Sequence, residues 1–575
     1  MNEECSRQEK LKKILFVLLA IGAAMAAVKC IFAGVQRDEE YAFTLSYRLI
    51  SGDRLLSEIW DPHQTSAFLL SLIEFAFVKM TGGVKYLVLF SRVVGTLLHF
   101  AVSFYLYLTL KKFVKREYAV LLSLIYFAML PKGYVIPEFS LMMSWFTTLL
   151  VLLVINTQMS ECSKAKRIFN TVLMGIVMCL LVLSYPSCAV VFPIVVVYLL
   201  ISKSWPKYSC LIFTVTCLIV GGAYLLYLLS YMSVSDVVFN VKSILSSCKS
   251  HEGSQAGEYL SNICVLVIIT AIEALAGILI CLFDNKRRIR KKLESRQISA
   301  FSVVCSGVTF AAVIQVLYWI VLIPKYDKEY ECSYFFAILV AAVVVLLSGK
   351  TEDKEKKELL LFVSVVNIGV FFAIILLTNL NIFASVQYLS SGIVFGLVSL
   401  ILYAENRLTY EKTVRWLVTI IAFAITMVKG LLYNTDDGLL ANFTTISFCV
   451  RENEAAKGVF TEYMKGYILD RTKEEWDELI KDGDSVLIWD TSSLSYLNKK
   501  VKIGSYTTIS TPSYDEESLM NYWNRNPDAY PNVIAVACWY GDLQIEEDSW
   551  FYQWIVNEFG ASQIIDGKYY RYFIK

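Results

Sequence analysis

Acidic residues cluster directly after the first long apolar stretch of the chain. Residues 14–35 form an apolar run about long enough to cross a bilayer as a helix, and Asp38, Glu39 and Glu40 follow it at once. Carboxylates at this depth lie at the membrane surface, where they can act as general bases or bind a cation. They can equally cap a helix, with Asp38 as N-cap and its acidic neighbours favouring the positive end of the helix.

The polar segment at residues 36–83 carries further groups that can do acid–base chemistry. Asp53 and Glu58 precede Asp61 and His63, which are separated by a single proline. A polar loop of this kind, tethered between membrane segments, favours a reaction centre. The alternative for His63 is structural, since a histidine after a proline can simply order a turn.

Composition excludes a set of soluble domains. Of the 575 residues, 56% are hydrophobic and 18% charged, and the mean hydropathy is +0.54. These values predict a polytopic α-helical membrane protein with no nucleic-acid partner. The 14 cysteines include no CxxC pair and no cluster with histidine, so neither a disulfide framework nor a zinc site is predicted.

Two helices after the first span are predicted to lie on the membrane surface. Residues 39–50 carry an apolar stripe at helical spacing, and residues 67–78 are too short to span and are interrupted by Glu74. If 67–78 crossed, the basic loop at 111–116 would lie outside, against the positive-inside rule.

About thirteen spans are then expected, with the basic loops inside and the C-terminal tail outside with the acidic loop. The predicted spans are 14–35, 84–110, 118–136, 138–156, 168–184, 187–201, 209–229, 259–283, 299–323, 332–348, 358–377, 392–403 and 416–433. The chain thus divides into a transmembrane domain, 1–433, with the outer loop 36–83, and an extracytoplasmic domain, 434–575.

The C-terminal region has the pattern of a small α/β domain. Thr472 and Glu475 are spaced as a capping box for a helix over 473–481. Strands are predicted at 485–488 and 533–537, a helix at 549–559 and a hairpin at 563–574. The region contains no GxGxxG and no P-loop, so no nucleotide site is predicted.

These features together resemble the C-type (GT-C) glycosyltransferase superfamily, closest to the protein O-mannosyltransferases and the lipid A aminoarabinose transferases. Asp38 and Glu39 fall where that superfamily has its acidic pair after the first span. Asp61 and His63 are similar to its Asp-x-His-Pro-Pro segment, in which Gln64 and Thr65 replace the two prolines here.

The resemblance implies an enzyme of the plasma membrane that moves a sugar from a polyprenyl-phosphate donor to a lipid, glycan or protein acceptor on the outer face. Asp38 is then the expected catalytic base, with Glu39 as a possible substitute, and Asp61 and His63 form an acceptor or loop site. Glu138 resembles a second acidic group, although after Pro137 it also suits the first turn of a helix.

The leaving phosphate needs positive charge, either from a divalent metal (Mg²⁺ or Mn²⁺) or from basic side chains at the outer surface. The candidate lysines are Lys79, Lys85, Lys325 and Lys328. The structural alternative for each is a lysine that extends its amine to the membrane surface from a helix end.

Arg92 and Glu273 lie inside predicted spans. Ionisable side chains at such positions are by default functional or paired, and a pairing of these two residues is one option. A transporter or flippase and a polymerase or ligase of lipid-linked glycans remain alternatives. A transporter is expected to show internal repeats and midplane charges, and the sequence has no visible repeat.

Overall fold

The structure is a computed structural model that describes residues 2–161, 163–249, 255–290, 299–321, 333–348, 353–377, 385–405, 408–433, 447–490, 492–509, 516–539, 542–560 and 563–575. The predicted domain boundary at 434 and the candidates Lys325 and Lys328 lie outside these residues. The described residues form a layer of long apolar helices and a C-terminal mixed sheet.

The helices of the apolar layer and its loops follow the predicted order. They are α1 Asn2–Phe32, α2 Arg37–Ile50, α3 Phe68–Thr81, α4 Leu87–Leu110, α5 Arg116–Ala128, α6 Phe139–Gln158, α7 Lys164–Ser184, α8 Val191–Ile201, α9 Lys207–Leu229, α10 Val234–Lys249, α11 Gln255–Arg290, α12 Ala300–Val321, α13 Ser333–Ser348, α14 Lys354–Leu377, α15 Ser390–Glu405 and α16 Leu408–Phe423, which continues as a π-helix over Ala424–Tyr433.

Eight helices in the described part of the chain are long and apolar enough to cross a membrane. Shorter apolar helices, among them α15, accompany them, and the total of thirteen spans stays a prediction. One predicted span has the wrong extent: α5 ends at Ala128 rather than near residue 136. The intervening residues 129–138 form a loop that joins α5 to α6.

The chain returns to the same end of the helix layer between α1 and α4. Arg92, in the second turn of α4, donates hydrogen bonds to the carbonyls of Ile31 (3.0 Å) and Gly34 (2.6 Å) at the end of α1. The helix α3 has 14 residues, about 21 Å, which is too short for a bilayer of about 30 Å. The length of α3 agrees with the prediction that it does not cross, and the placement of α2 and α3 on the membrane surface stays a prediction.

Glu74 differs from its expected environment. It is buried against α2 beside Ser46, and its carboxyl oxygens have no hydrogen-bond partner that meets normal geometry among the described residues. Burial raises the pKa of Glu74 well above its ordinary value, because a buried carboxylate loses its hydration.

The basic loops meet at the opposite end of the layer. Lys112 donates to Ser160 (3.1 Å), and Arg167 donates to the carbonyl of Ser204 (2.9 Å), which joins the loops that follow α4, α6 and α8. The positive-inside rule assigns this end to the cytoplasm. The acidic loop then lies on the outer side, and this orientation stays a prediction.

The C-terminal domain has the predicted α/β character. Its helices are α17 Tyr463–Leu479, α18 Glu516–Arg525 and α19 Trp550–Phe559, and its strands are β1 Phe448–Cys449, β2 Phe460–Thr461, β3 Ser485–Trp489, β4 Lys502–Ile503, β5 Val533–Trp539, β6 Asp542–Leu543, β7 Gln563–Asp566 and β8 Tyr570–Ile574. The main sheet runs β4-β3-β5-β8-β7, with β4, β3 and β5 parallel and the terminal hairpin antiparallel.

The predicted capping box is wrong. The helix α17 begins at Tyr463, so Thr472 lies in its interior and is fully buried. Glu475 instead accepts hydrogen bonds from the Lys568 amide (2.6 Å) and the Tyr572 hydroxyl (2.8 Å). These contacts anchor the terminal hairpin to α17, a role that the local spacing could not reveal.

The C-terminal domain packs on the loop that follows α1. Thr44 of α2 donates to the carbonyl of Ser493 (2.9 Å), and Arg48 donates to the carbonyl of Ser505 (2.8 Å). Arg48 is buried, forms an ion pair with Asp53 (2.7 Å) and also contacts Tyr522. The acidic loop and the C-terminal domain are therefore in direct contact, and their location on the outer side of the membrane stays a prediction.

Arg48→Met is expected to loosen this junction. Removing a buried partner leaves Asp53 and two carbonyls without their donor, which costs about 3–5 kcal/mol of stability. The matched control is Arg54→Met, since Arg54 is half exposed and pairs with Glu58 one turn away, a contact worth at most about 1 kcal/mol. Thermal unfolding followed by tryptophan fluorescence measures the stability of both variants. Equal losses of stability would contradict the role of Arg48 at the junction.

Candidate active site

A buried ion pair fixes the start of α2. The Arg92 guanidinium donates to both oxygens of Glu39, at 2.7 and 2.5 Å, and both side chains are about 1% exposed. The other nitrogens of Arg92 are bound to the carbonyls at the end of α1. Glu39 is therefore fully engaged in holding α1, α2 and α4 together.

Asp38 stands beside this pair with a more open environment. Its carboxylate accepts a hydrogen bond from Lys132 (2.6 Å), and its side chain is 48% exposed, against 15% for Lys132. The N-cap of α2 is Gln36, so Asp38 does not cap the helix. The positive charge of Lys132 lowers the pKa of Asp38, to which Arg37 and His63 also contribute.

Lys132 is the residue that the sequence prediction missed. It lies in the loop 129–138 that was assigned to a span, and its ammonium also sits 3.9 Å from the centre of the Phe139 ring. The sequence did contain an indication of this role, because a lysine inside a predicted span is by default a functional or paired group.

Asp61 organises a turn instead of facing open solvent. It accepts hydrogen bonds from the Tyr41 hydroxyl, the His63 amide (2.8 Å) and the Thr507 hydroxyl (2.8 Å). Thr507 belongs to the C-terminal domain, so this carboxylate ties that domain to the loop. The contacts favour a positioning role for Asp61.

His63 packs against the base of α6. Its ring stacks on Phe139 with centroids 4.1 Å apart and planes 9° apart, and Tyr185 lies beside both rings. Burial lowers the pKa of His63, which keeps the imidazole neutral at pH 7. Asp38 and Lys132 both act on it electrostatically, so His63 belongs to the same cluster.

Glu138 and Glu40 are acidic residues with structural partners. Glu138 is the N-cap of α6 and accepts from the amides of Ser140 (2.9 Å) and Leu141 (2.7 Å). Glu40 is buried and binds Lys465 (3.2 Å) and the Leu494 amide (3.2 Å), both in the C-terminal domain. Glu138 thus stands at the start of α6, as its structural alternative expected, but as the N-cap rather than within the first turn. Its catalytic role stays a prediction.

The remaining candidates lie apart from this cluster. Lys79 and Lys85 are exposed, and the rings near their amines are those of Phe75 and Tyr86. The pairing of Arg92 with Glu273 is wrong, because Glu39 occupies the guanidinium. Glu273 is buried on α11, where its backbone packs closely on Gly307 of α12.

The acidic residues do not fit a divalent metal. Asp38, Glu39 and Glu138 each have a different cationic or amide partner. Within the described ranges, no three His, Cys, Asp or Glu side chains converge as a metal site would need. No step below passes through a metal ion.

A narrow, mainly apolar cavity of about 20 Å³, roughly the room for one water molecule, lies in the helix layer next to the loop that carries Lys132. Its wall comprises Ala23, Ala26, Ala27 and Cys30 of α1, Thr96 and His99 of α4, and Phe127, Ala128, Leu130 and Val135. Leu130 and Val135 flank Lys132, and the Cys30 thiol donates to the Gly133 carbonyl (3.3 Å). The cluster thus sits where the polar loop meets an apolar space.

Comparisons with solved structures give matches of low identity. The chain is similar to the oligosaccharyltransferase of Archaeoglobus fulgidus in complex with Zn and sulfate (TM-score 0.47, 11% identity, 90% of this chain and 67% of that chain). It is also similar to AglB of the same organism with an inhibitory peptide and a dolichol-phosphate (0.44, 11%, 92% and 70%). A third match is ArnT from Cupriavidus metallidurans bound to undecaprenyl phosphate (0.42, 12%, 97% and 97%).

These solved structures are GT-C glycosyltransferases, the superfamily that the residues around Asp38 resemble. No family model and no curated protein matches the chain. All three TM-scores are below 0.5, so the function has to be inferred from the residues of this chain.

Glu39→Gln and Asp38→Asn are expected to separate structure from chemistry. Glu39→Gln leaves the buried Arg92 charge without a counterion, which costs about 3–5 kcal/mol. Asp38→Asn breaks a pair that water can reach, so stability changes by at most about 1 kcal/mol. Thermal unfolding of the two purified isosteric variants measures the difference, and a larger loss for Asp38→Asn would refute the division of roles.

Proposed function

We propose that this chain is an integral-membrane glycosyltransferase that moves a sugar from a polyprenyl-phosphate donor to an acceptor on the outer face of the membrane. The observation that carries the proposal is the half-exposed Asp38 carboxylate, paired with Lys132 at the junction of the outer loop and an apolar cavity. A base for the acceptor hydroxyl and a cation for the leaving phosphate are two groups that such a transfer needs.

The chemistry uses two side chains in complementary roles. Asp38 accepts the proton of an acceptor hydroxyl as that oxygen attacks the anomeric carbon, while the bond from this carbon to the donor phosphate breaks. The polyprenyl phosphate leaves with the bonding electrons, and the nearby Lys132 ammonium offsets its charge. General-base assistance of this kind contributes roughly 10²–10⁴ in rate.

The surrounding contacts hold these groups in place. Glu39 and Arg92 fix the helix turn that carries Asp38, and Phe139 supports Lys132. Asp61 and Thr507 join the loop to the C-terminal domain, which therefore borders the site from outside. We assign the acceptor to this border and the lipid of the donor to the side of the apolar helices.

Asp38→Asn is expected to lower sugar transfer by at least roughly 10²-fold, because the amide cannot take the proton. Transfer is measured as polyprenyl phosphate released from a panel of polyprenyl-phosphate hexoses and pentoses in proteoliposomes. The control is Glu117→Gln, an exposed carboxylate at the opposite end of the helix layer. Full activity in folded Asp38→Asn would refute the catalytic assignment, and transport of the lipid-linked sugar without its cleavage would favour a flippase.

Lys132→Met is expected to move the acid limit of activity to higher pH. Lys132 is the main cause that lowers the pKa of Asp38, so its removal raises that pKa and the base becomes protonated sooner as pH falls. The acid limb of kcat/KM, which reports the free enzyme, should therefore begin at a higher pH than in the wild type. An unchanged limb would show that another group limits the rate.

A further inference from the structure

Two ion pairs lie side by side at the site and differ in their access to water. Glu39 and Arg92 are about 1% exposed each, and Arg92 is bound on every side by carboxylate and carbonyl oxygens. Asp38 and Lys132 are 48% and 15% exposed. The first pair cannot open without leaving a buried charge alone, whereas Asp38 can return to water when its partner is taken.

From this contrast we infer that Lys132 is the binding group for a lipid phosphate, and that the phosphate displaces Asp38 from Lys132. The inference rests on the proposed function and names the phosphate site within it. Asp38 holds the ammonium in place while the site is empty of donor and is released from it when the phosphate arrives.

The position of Lys132 suits such an exchange. Its ammonium keeps the Phe139 ring as a neutral support whichever anion it binds. An anion beside the ammonium is favoured, because the Lys132 side chain is only 15% exposed. A phosphate carries more charge and more acceptor oxygens than one carboxylate, so it can compete for the ammonium.

Tyr134 supplies a second, independent observation. Its hydroxyl is buried and has no hydrogen-bond partner among the described residues, although it lies in electrostatic range of Asp38, Glu39 and Glu138. Burial raises the pKa of Tyr134 well above its ordinary value, so the hydroxyl keeps its proton. An unused donor two residues from Lys132 is a feature that a phosphate oxygen would satisfy.

The apolar residues near Lys132 in the sequence agree with an anion that is attached to a lipid. The residues that flank Lys132 in its loop, Leu130 and Val135, form part of the cavity wall. A phosphate held at Lys132 would therefore carry its chain next to apolar side chains.

The exchange also changes the basicity of the Asp38 carboxylate. When Lys132 turns to the phosphate, the positive charge that lowers the pKa of Asp38 is neutralised, and the carboxylate becomes a stronger proton acceptor. Donor binding thereby prepares Asp38 at the moment when an acceptor hydroxyl can use it.

A binding cycle tests the exchange without any turnover. The probe is polyprenyl monophosphate titrated into the full-length protein in nanodiscs. Lys132→Met is expected to weaken binding by roughly 10- to 100-fold, and Lys132→Arg to retain it. Asp38→Asn is expected to tighten binding several-fold, since it removes the competing anion. The double variant should match Lys132→Met alone, because Asp38 acts on the phosphate only through Lys132.

Polyprenol and inorganic phosphate separate the two parts of the ligand. Weak binding of both in the wild type is expected, since each lacks either the charge or the chain. Inorganic phosphate that binds as tightly as the lipid would overturn the assignment to a lipid phosphate. Equal binding by Asp38→Asn and the wild type, or weaker binding by Asp38→Asn, would overturn the exchange.

Lys79→Met and Lys85→Met are the matched controls on exposed lysines of the same side. If either of them weakens binding and Lys132→Met does not, the phosphate site lies elsewhere. The proposed function can fail independently of the exchange. If all variants change binding as expected but the protein transfers no sugar, the enzyme assignment is refuted and the phosphate site stands. If sugar transfer depends on Asp38 but the effects of the two single variants on binding simply add in the double variant, only the exchange is refuted.

Discussion

The buried bond between Arg92 and Glu39 is the constraint on which the arrangement of the site depends. It joins residues 53 positions apart and binds the end of α1 to the start of α2 on the face of α4. A charge this deep is stable only with its partners in place. Since Asp38 precedes Glu39 directly, the same bond decides where Asp38 lies.

The site divides two neighbouring carboxylates between different tasks. Glu39 is excluded from water, and both its oxygens accept hydrogen bonds from Arg92, so it stabilises the fold and is not available to accept a proton from a substrate. Asp38 is half exposed and has a lysine partner that can be exchanged. The difference comes from burial, because the two residues have the same charge and adjoin in the chain.

The C-terminal domain completes the site from outside. Arg48, Glu40 and Asp61 of the loop each bind a group in that domain, across separations of more than 400 residues. These contacts bury polar groups that the loop could not satisfy by itself. The loop is thus held between the helix layer and the sheet, which gives Asp38 a fixed position at the boundary of apolar and polar space.

The sequence by itself determined the features that depend on local composition and period: the apolar helices, the short helices α2 and α3, the strands β3 and β5, and the acidic cluster that follows α1. Only the tertiary structure decided the partners. Lys132 was assigned to a span, Glu475 to a capping box and Arg92 to a possible pair with Glu273, and each binds a different group. Hydropathy and helix periodicity act over a few turns, whereas Lys132 and Asp38 meet across 94 residues, a contact that only packing can create.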